Sequence, residues 1–301
     1  MMAAEHTQQW RGGLRYDEPM AEHTSWRTGG RARRFYQPAG IDELCLFLQD
    51  LDKDEPLLWL GLGSNLLVRD GGFPGTVIHT FGALAAVEWL DDNTLHAGSG
   101  VTCSKLARMS ARAGRVGIEF LAGIPGTLGG ALAMNAGAFG GETWPHVQAV
   151  ETVDRNGQRQ SRLPSEYRIG YRTVEGPANE WFVAARLGLE AGDAQAAQDH
   201  IKALLARRSE TQPVQQYSCG SVFRNPPGDH AARLIEAAGL KGLSVGGACV
   251  SEQHANFIIN TGTATAADIE MLINQVQGKV EQRYDIRLET EVHIAGEKPA
   301  S

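Results

Sequence analysis

Apolar residues recur along this chain at two spacings, and the changes of spacing fall at glycine, asparagine, aspartate or proline. Alternation from Arg31 to Gln37 predicts a strand, and a three-to-four-residue period from Ile41 to Leu51 predicts an amphipathic helix with Asp42 near its start. Leu57 to Leu62 is a continuous apolar run of buried-strand length that empties into Gly63-Ser64-Asn65 and resumes from Leu66 to Val68. After the turn at Asp70-Gly71-Gly72 comes a strand from Gly75 to Thr80. Val87 to Leu90 and Thr94 to Ala97 read as a hairpin about Asp91-Asp92-Asn93, and Val101 to Ala113 as a helix closed by Gly114.

Further on, Val147 to Asp154, Gln158 to Arg162 and Trp181 to Leu189 read as strands, the first two joined by Asn156-Gly157. Pro164 to Pro177 is a loop carrying Tyr171 and Arg172. Composition breaks at Glu190 to Ala194, and a helical stretch from Ala197 to Glu210 is expected to link two domains, with the boundary near residue 195. Beyond it lie a polar loop from Gln215 to Asn225, a helix from Ala231 to Ala238 closed by Gly239, and strands at Ser244 to Val250 and Phe257 to Asn260. Thr265, with Asp268 three residues on, caps a helix running to about Tyr284, and Ile286 to Ile294 is the last expected strand. The first 22 residues read as polar and irregular, and the tail as frayed.

One stretch departs from both periodicities. Gly117 to Gly141 holds eight glycines, and a segment containing Gly123, Gly126, Gly129, Gly130 and Gly137 presents bare backbone N–H groups to a ligand, with Pro125 pinning one turn. Asn135 and the shortness of each apolar run argue against a membrane span. No GxxxxGK[ST] occurs, which excludes a P-loop. The nearest approach to a dinucleotide fingerprint, Gly61-Leu62-Gly63-Ser64-Asn65-Leu66, ends in Leu where helix packing needs Gly. The loop after Leu62 still suits a diphosphate through its backbone and the Ser64 and Asn65 side chains, although a plain β-meander has the same pattern.

With 301 residues, 42% of them hydrophobic and 21% charged, the chain is long enough for two or three compact domains. A net charge of −7 disfavours a nucleic-acid or anionic-membrane binder, which needs a basic face. The arginines Arg27, Arg31, Arg33 and Arg34 could meet phosphate, though one solvated strand face is the commoner use of such a run. Cys45, Cys103, Cys219 and Cys249 are widely separated and form neither a zinc nor a redox motif. Reduced thiols, and an amino terminus with no apolar signal region, lead us to expect a cytoplasmic protein.

Taken in order, LGLGSNLLVRDGGFPGTVI, FLAGIPGTLGGALAMNAGAFG, GYR, GSVFRNP and LETEV resemble the UDP-N-acetylenolpyruvoylglucosamine reductase family, as do YDEPMAEHTSWRTGG and AGLKGLSVGGACVSEQHANFIIN. The resemblance runs from about residue 16 to residue 295. It implies an α+β fold: an amino-terminal segment (1–22), a two-part FAD-binding domain of the vanillyl-alcohol-oxidase type (23–194, divided near residue 82) and a substrate-binding domain (195–301). It also implies NADPH-dependent reduction of an enolpyruvyl UDP-sugar to UDP-N-acetylmuramate through FAD, in peptidoglycan precursor synthesis. With neither His nor Cys in the two glycine segments, the FAD is expected to be noncovalent. The oligomeric state stays open, a monomer being favoured.

Residue by residue, the resemblance assigns catalysis to Arg172 of GYR, Ser221 of GSVFRNP and Glu291 of LETEV. Arg172 holds the charge that spreads into the substrate carboxylate. Glu291 acts beside it through a hydrogen bond, either protonated or across a water or cation, and Ser221 gives the proton to carbon. The cofactor contacts it implies are Gly61, Gly63, Ser64, Asn65 and Leu66, then Gly123, Ile124, Pro125, Gly126, Thr127, Gly129 and Gly130, then Asn135, Gly137 and Ala138. Tyr171, Arg224 and Asn225 are its substrate contacts, while His254 is left as a core residue. Thr290 and Val174 depart from the family's common residues. The short connection from Arg172 to Ser221 resembles the branch lacking an inserted, tyrosine-bearing loop. An FAD oxidase acting on an alcohol or sugar is disfavoured by GSVFRNP and LETEV, and a non-catalytic flavin or nucleotide-sugar binder by retention of all three catalytic residue types.

Overall fold

The computed structural model describes residues 10–299. Expectations touching residues 1–9 and 300–301, the start of the amino-terminal segment and the end of the tail, lie outside the described residues. Helices and strands are mixed throughout. The helices are α1 (Ile41–Asp50), α2 (Cys103–Arg112), α3 (Leu128–Ala133), α4 (Ala194–Thr211), α5 (Ala231–Ala237) and α6 (Ala266–Tyr284).

The chain forms two compact units, each assembled from segments remote in sequence. Of the described residues, the first takes 10–16, Arg34–Leu62 and Gly75–Arg207; the second takes Asp17–Arg33, Gly63–Pro74 and 208–299. This differs from the linear division near residue 195 expected from composition. Short segments explain the difference: Leu66–Val68, buried throughout, pairs in parallel with His293–Ala295. Near the start of the chain, the Trp26 indole donates to the Ile258 carbonyl at 2.7 Å, and the Thr28 hydroxyl to that of Ala264 at 2.8 Å.

The first unit centres on a five-stranded antiparallel sheet in the order Arg159–Arg162, Val147–Asp154, Glu180–Gly188, Thr94–Gly98, Val87–Trp89. One core joins this sheet to α2, α3 and the glycine-rich segment through Leu95, Leu106, Leu121, Leu132 and Trp144. A second core gathers Tyr36, Leu44, Phe47 and Ile78 around α1.

The second unit packs α5 and α6 on a small sheet of Ser244–Val245, Ala248–Val250 and Ile258–Asn260. The Thr265 hydroxyl accepts the Asp268 N–H at 3.1 Å, as the capping pattern predicts. Asp70 adds to this cap, accepting the N–H groups of Ala266 and Ala267 at 2.9 and 2.8 Å.

Three expected elements are corrected. Ser244 to Val250 is a hairpin, because Gly246-Gly247 turns the chain between two short strands. Ile286 to Ile294 is not one strand: around Thr290 the segment bridges to Phe223, and from His293 it pairs with Leu66–Val68, so a change of partner interrupts it. The supposedly irregular amino terminus holds a strand, Gly13–Pro19, at the edge of a sheet continuing through Arg31–Gln37, Phe73–His79 and Leu57–Leu60. Two of the early arginines are paired on the protein itself, Arg31 with Asp17 and Arg34 with Glu55, each at 2.8 Å.

Asn260 tests the discontinuous second unit. Its buried carboxamide donates to the Trp26 carbonyl at 2.7 Å and accepts from Gly262 and Ala264 at 2.8 and 3.0 Å. Asn260→Ala strands these partners, so unfolding in urea should show a loss of about 3 kcal/mol.

Candidate active site

In the first unit, the glycine-rich segment folds as a 3-10 turn at Glu119–Gly123, a loop through Ile124, Pro125 and Gly126, and α3, for which Thr127 is the N-cap. The Gly126 carbonyl accepts the Cys103 N–H at 2.9 Å and Leu128 donates to the Val101 carbonyl at 2.8 Å, fastening the loop to the start of α2. Gly61 lies against this loop. A Cβ there would stand 2.3 Å from Thr127 Oγ1, so a side chain is excluded. Gly129 donates to the Ser99 carbonyl at 2.8 Å, and Gly130 completes the first turn of α3.

The hydroxyls of Thr127 and Ser99 are buried with no hydrogen-bond partner among the described residues. A buried unpaired hydroxyl costs about 1–3 kcal/mol, so two of them beside bare glycine backbone fit the polar groups of a ligand such as FAD.

Gly137-Ala138 pairs with Gly141-Glu142 in a short hairpin just after Asn135. Asn135 itself is 1% exposed. Its Nδ2 donates to Glu142 Oε2 at 3.0 Å and to the Gly170 carbonyl at 3.2 Å, while its Oδ1 accepts the Trp144 N–H at 3.1 Å. The carboxamide is thus engaged inside the protein, bracing the glycine loop.

It also ties that loop to a second hairpin, Arg168–Gly170 with Thr173–Glu175, whose tip carries Tyr171 and Arg172. Arg172 adopts a left-handed φ of 55°. Its Nη2 donates to the Gly137 carbonyl at 2.6 Å and its Nη1 to that of Asn135 at 3.3 Å, which fixes the plane of the guanidinium. The exposed Tyr171 ring lies 5.1 Å from that group. At the hairpin's base Tyr167 packs on Trp144, and burial pushes its phenol up to about 12, so it stays neutral.

In the second unit, the loop after Gly63 adjoins the segment that carries Glu291, just ahead of the strand His293–Ala295. Asn65 Nδ2 donates to the Glu291 carbonyl at 3.0 Å, and the His293 N–H to the Asn65 carbonyl at 3.1 Å. Ser64 forms no hydrogen bond among the described residues, whereas the Leu66 side chain is buried in its strand.

Ser221 follows Gly220, which has a φ of 71° that favours glycine. The Val222 carbonyl accepts the Glu291 N–H at 2.8 Å and Arg224 donates to the Glu289 carbonyl at 2.9 Å, so Ser221 and Glu291 stand on neighbouring backbones. Arg224 lies 3.9 Å from Glu289, and Asn225 Oδ1 accepts the Ala231 N–H at 3.1 Å at the start of α5. Burial pushes the Cys219 thiol up to about 12 beneath the carbonyls of Gly63 and Leu66, so it remains a thiol. His254 packs on Phe257, and burial lowers its pKa.

Of the three catalytic candidates, then, Arg172 belongs to the first unit and Ser221 and Glu291 to the second. Sequence pattern singled out neither Ser99 nor Glu142. The one signal for Glu142 is its place directly after Gly140-Gly141.

Comparison with known proteins gives a consistent picture. Residues 32–161 match the family model for an FAD binding domain, and residues 212–295 that for the UDP-N-acetylenolpyruvoylglucosamine reductase C-terminal domain. The UDP-N-acetylenolpyruvoylglucosamine reductase of Alkalilimnicola ehrlichii is 63% identical over 297 residues, 99% of each chain. That of Legionella pneumophila strain Corby is 57% identical over 98% of this chain and 96% of its own. The crystal structure of the Thermus caldophilus reductase superposes with a TM-score of 0.81 at 34% identity, covering 95% of this chain and 99% of that one.

Thr127→Val separates a ligand contact from a structural one. The hydroxyl has no partner among the described residues, so the thermal midpoint of the apoprotein should hold or rise. FAD affinity, by fluorescence titration, should fall about tenfold, or ~1.4 kcal/mol. Unchanged affinity would remove Thr127 from the cofactor contacts.

Proposed function

Because this chain belongs to the UDP-N-acetylenolpyruvoylglucosamine reductase family, we propose that Arg172, Ser221 and Glu291 carry its chemistry. The protein is an FAD-containing oxidoreductase of peptidoglycan precursor synthesis. It reduces the enolpyruvyl ether of UDP-N-acetylglucosamine to the lactyl ether of UDP-N-acetylmuramate with NADPH as reductant. FAD, when bound, supplies the carrier that takes a hydride from NADPH and delivers it to the terminal carbon of the enolpyruvyl group.

The chain's own residues do the rest. Gly61, Gly123 to Thr127, Gly129, Gly130, Gly137 and Ala138 offer FAD a surface of backbone and the Thr127 and Ser99 hydroxyls, with Asn135 holding that surface in shape. Gly63 to Leu66 offer a second backbone segment and the Ser64 hydroxyl. Arg172 meets the substrate carboxylate and holds the negative charge that develops there, a task suited to a guanidinium of fixed plane. Ser221 gives its proton to the adjacent carbon, and Glu291 supports the charged intermediate through a hydrogen bond. Tyr171, Arg224 and Asn225 line the UDP-sugar, and residues 195–301 supply most of the substrate-binding surface. Pairing of the Val222 carbonyl with the Glu291 N–H supports this reading most directly, since it aligns two of the three catalytic residues. A UDP-sugar and NADPH are cytoplasmic metabolites, so we place the reaction in the cytoplasm. No helix among the described residues is long and apolar enough to cross a membrane.

The roles divide the reaction in two, which makes them separable. Ser221→Ala should leave reduction of the flavin by NADPH near its normal rate. Reoxidation by the enolpyruvyl substrate should slow by ~10²-fold, about 2.7 kcal/mol of barrier. Stopped-flow traces with slowed reduction and normal reoxidation would show the role to be misassigned.

A further inference from the structure

Asn256 lies in the apolar run Ala255 to Ile259 and is 4% exposed. Its Oδ1 accepts the Phe223 N–H at 3.0 Å and its Nδ2 donates to the Phe223 carbonyl at 2.8 Å. One side chain therefore satisfies both backbone polar groups of a residue that is itself 2% exposed. The Asn256 carbonyl also accepts the Val222 N–H at 2.9 Å.

On the other edge, Val222 and Arg224 bond to Glu291 and Glu289. The segment from Val222 to Arg224 is thus gripped from both sides. Ser221 is one peptide plane away. Upstream, Cys219 is anchored by its buried thiol, but Gly220 stands between it and Ser221 with open space where a Cβ would go, so it transmits little restraint. The orientation of Ser221 is set from its C-terminal side.

We infer that Asn256 is a positioning residue for the Ser221 hydroxyl, acting through the Phe223 backbone; the inference rests on the reading of Ser221 as proton donor. Asn256→Asp keeps the size and the acceptor for Phe223 N–H but turns a carboxylate oxygen toward the Phe223 carbonyl, which displaces the segment. In the holoenzyme, flavin reduction by NADPH should stay within about twofold of normal and reoxidation by substrate should slow about tenfold. Hydrogen exchange at Val222 to Arg224 should accelerate, a readout independent of turnover.

In a Ser221→Ala background, Asn256→Asp should slow reoxidation no further. Multiplied losses in the double variant, or equal slowing of both half-reactions by Asn256→Asp, would overturn the positioning role. A normal reoxidation rate in Ser221→Ala alone would instead overturn the donor assignment beneath it. Asn256→Ser, whose hydroxyl can still serve one Phe223 group, gives the same separation of half-reactions should the aspartate variant fail to fold.

Discussion

The hydrogen bond from the Glu291 N–H to the Val222 carbonyl is the constraint on which the arrangement of the second unit's candidate residues depends. Seventy residues separate Ser221 from Glu291 in the sequence. Backbone pairing brings them together, the Val222 carbonyl accepting the Glu291 N–H at 2.8 Å and the Val292 N–H at 3.4 Å. Asn65 extends the same ladder by taking the Glu291 carbonyl, so three backbones remote in sequence share one register. Displacing any of them would move two others.

Arg172 is placed by different physics. Its backbone sits in the left-handed region at a hairpin tip, where a bulky residue is costly, and its side chain grips two carbonyls of the glycine segment. Glycine is useful there less for flexibility than for leaving carbonyls accessible, and Asn135 holds both the segment and the hairpin that reaches it. Two carbonyl dipoles thereby help to fix the direction of the cation.

Local pattern carried far more information about elements than about their assembly. Arg31–Gln37, Leu66–Val68 and Val147–Asp154 have the bounds that periodicity predicts, and Thr265 caps α6 as its spacing requires, because these features depend on neighbouring residues. The two discontinuous units were not legible: Leu66–Val68 and His293–Ala295 are three residues each, and so short an apolar run does not name the distant partner it pairs with. The same holds for Ser244 to Val250, where an apolar pattern runs across a turn that two glycines make. Arg172, Ser221 and Glu291 were found through resemblance of their motifs to a family; as isolated residue types they carry no signal. Asn135 was read as a ligand contact from its motif, and only the structure shows its carboxamide engaged by Glu142, Gly170 and Trp144. Asn256 went unread because a single amide in an apolar run does not reveal its partner.

The parallel pairing of Leu66–Val68 with His293–Ala295 spans more than two hundred residues and governs the order of events as the chain is made. A ribosome that has released the first seventy residues exposes the Gly63 to Leu66 loop long before its partner strand exists. The helices and antiparallel strands between residues 75 and 207 have their partners close by and are free to assemble meanwhile. The second unit, with Trp26 and Leu67 in its core, stays open until residue 295 emerges. A nascent chain stalled short of that strand leaves the core of the second unit uncovered, the kind of apolar surface on which chaperones and proteases act.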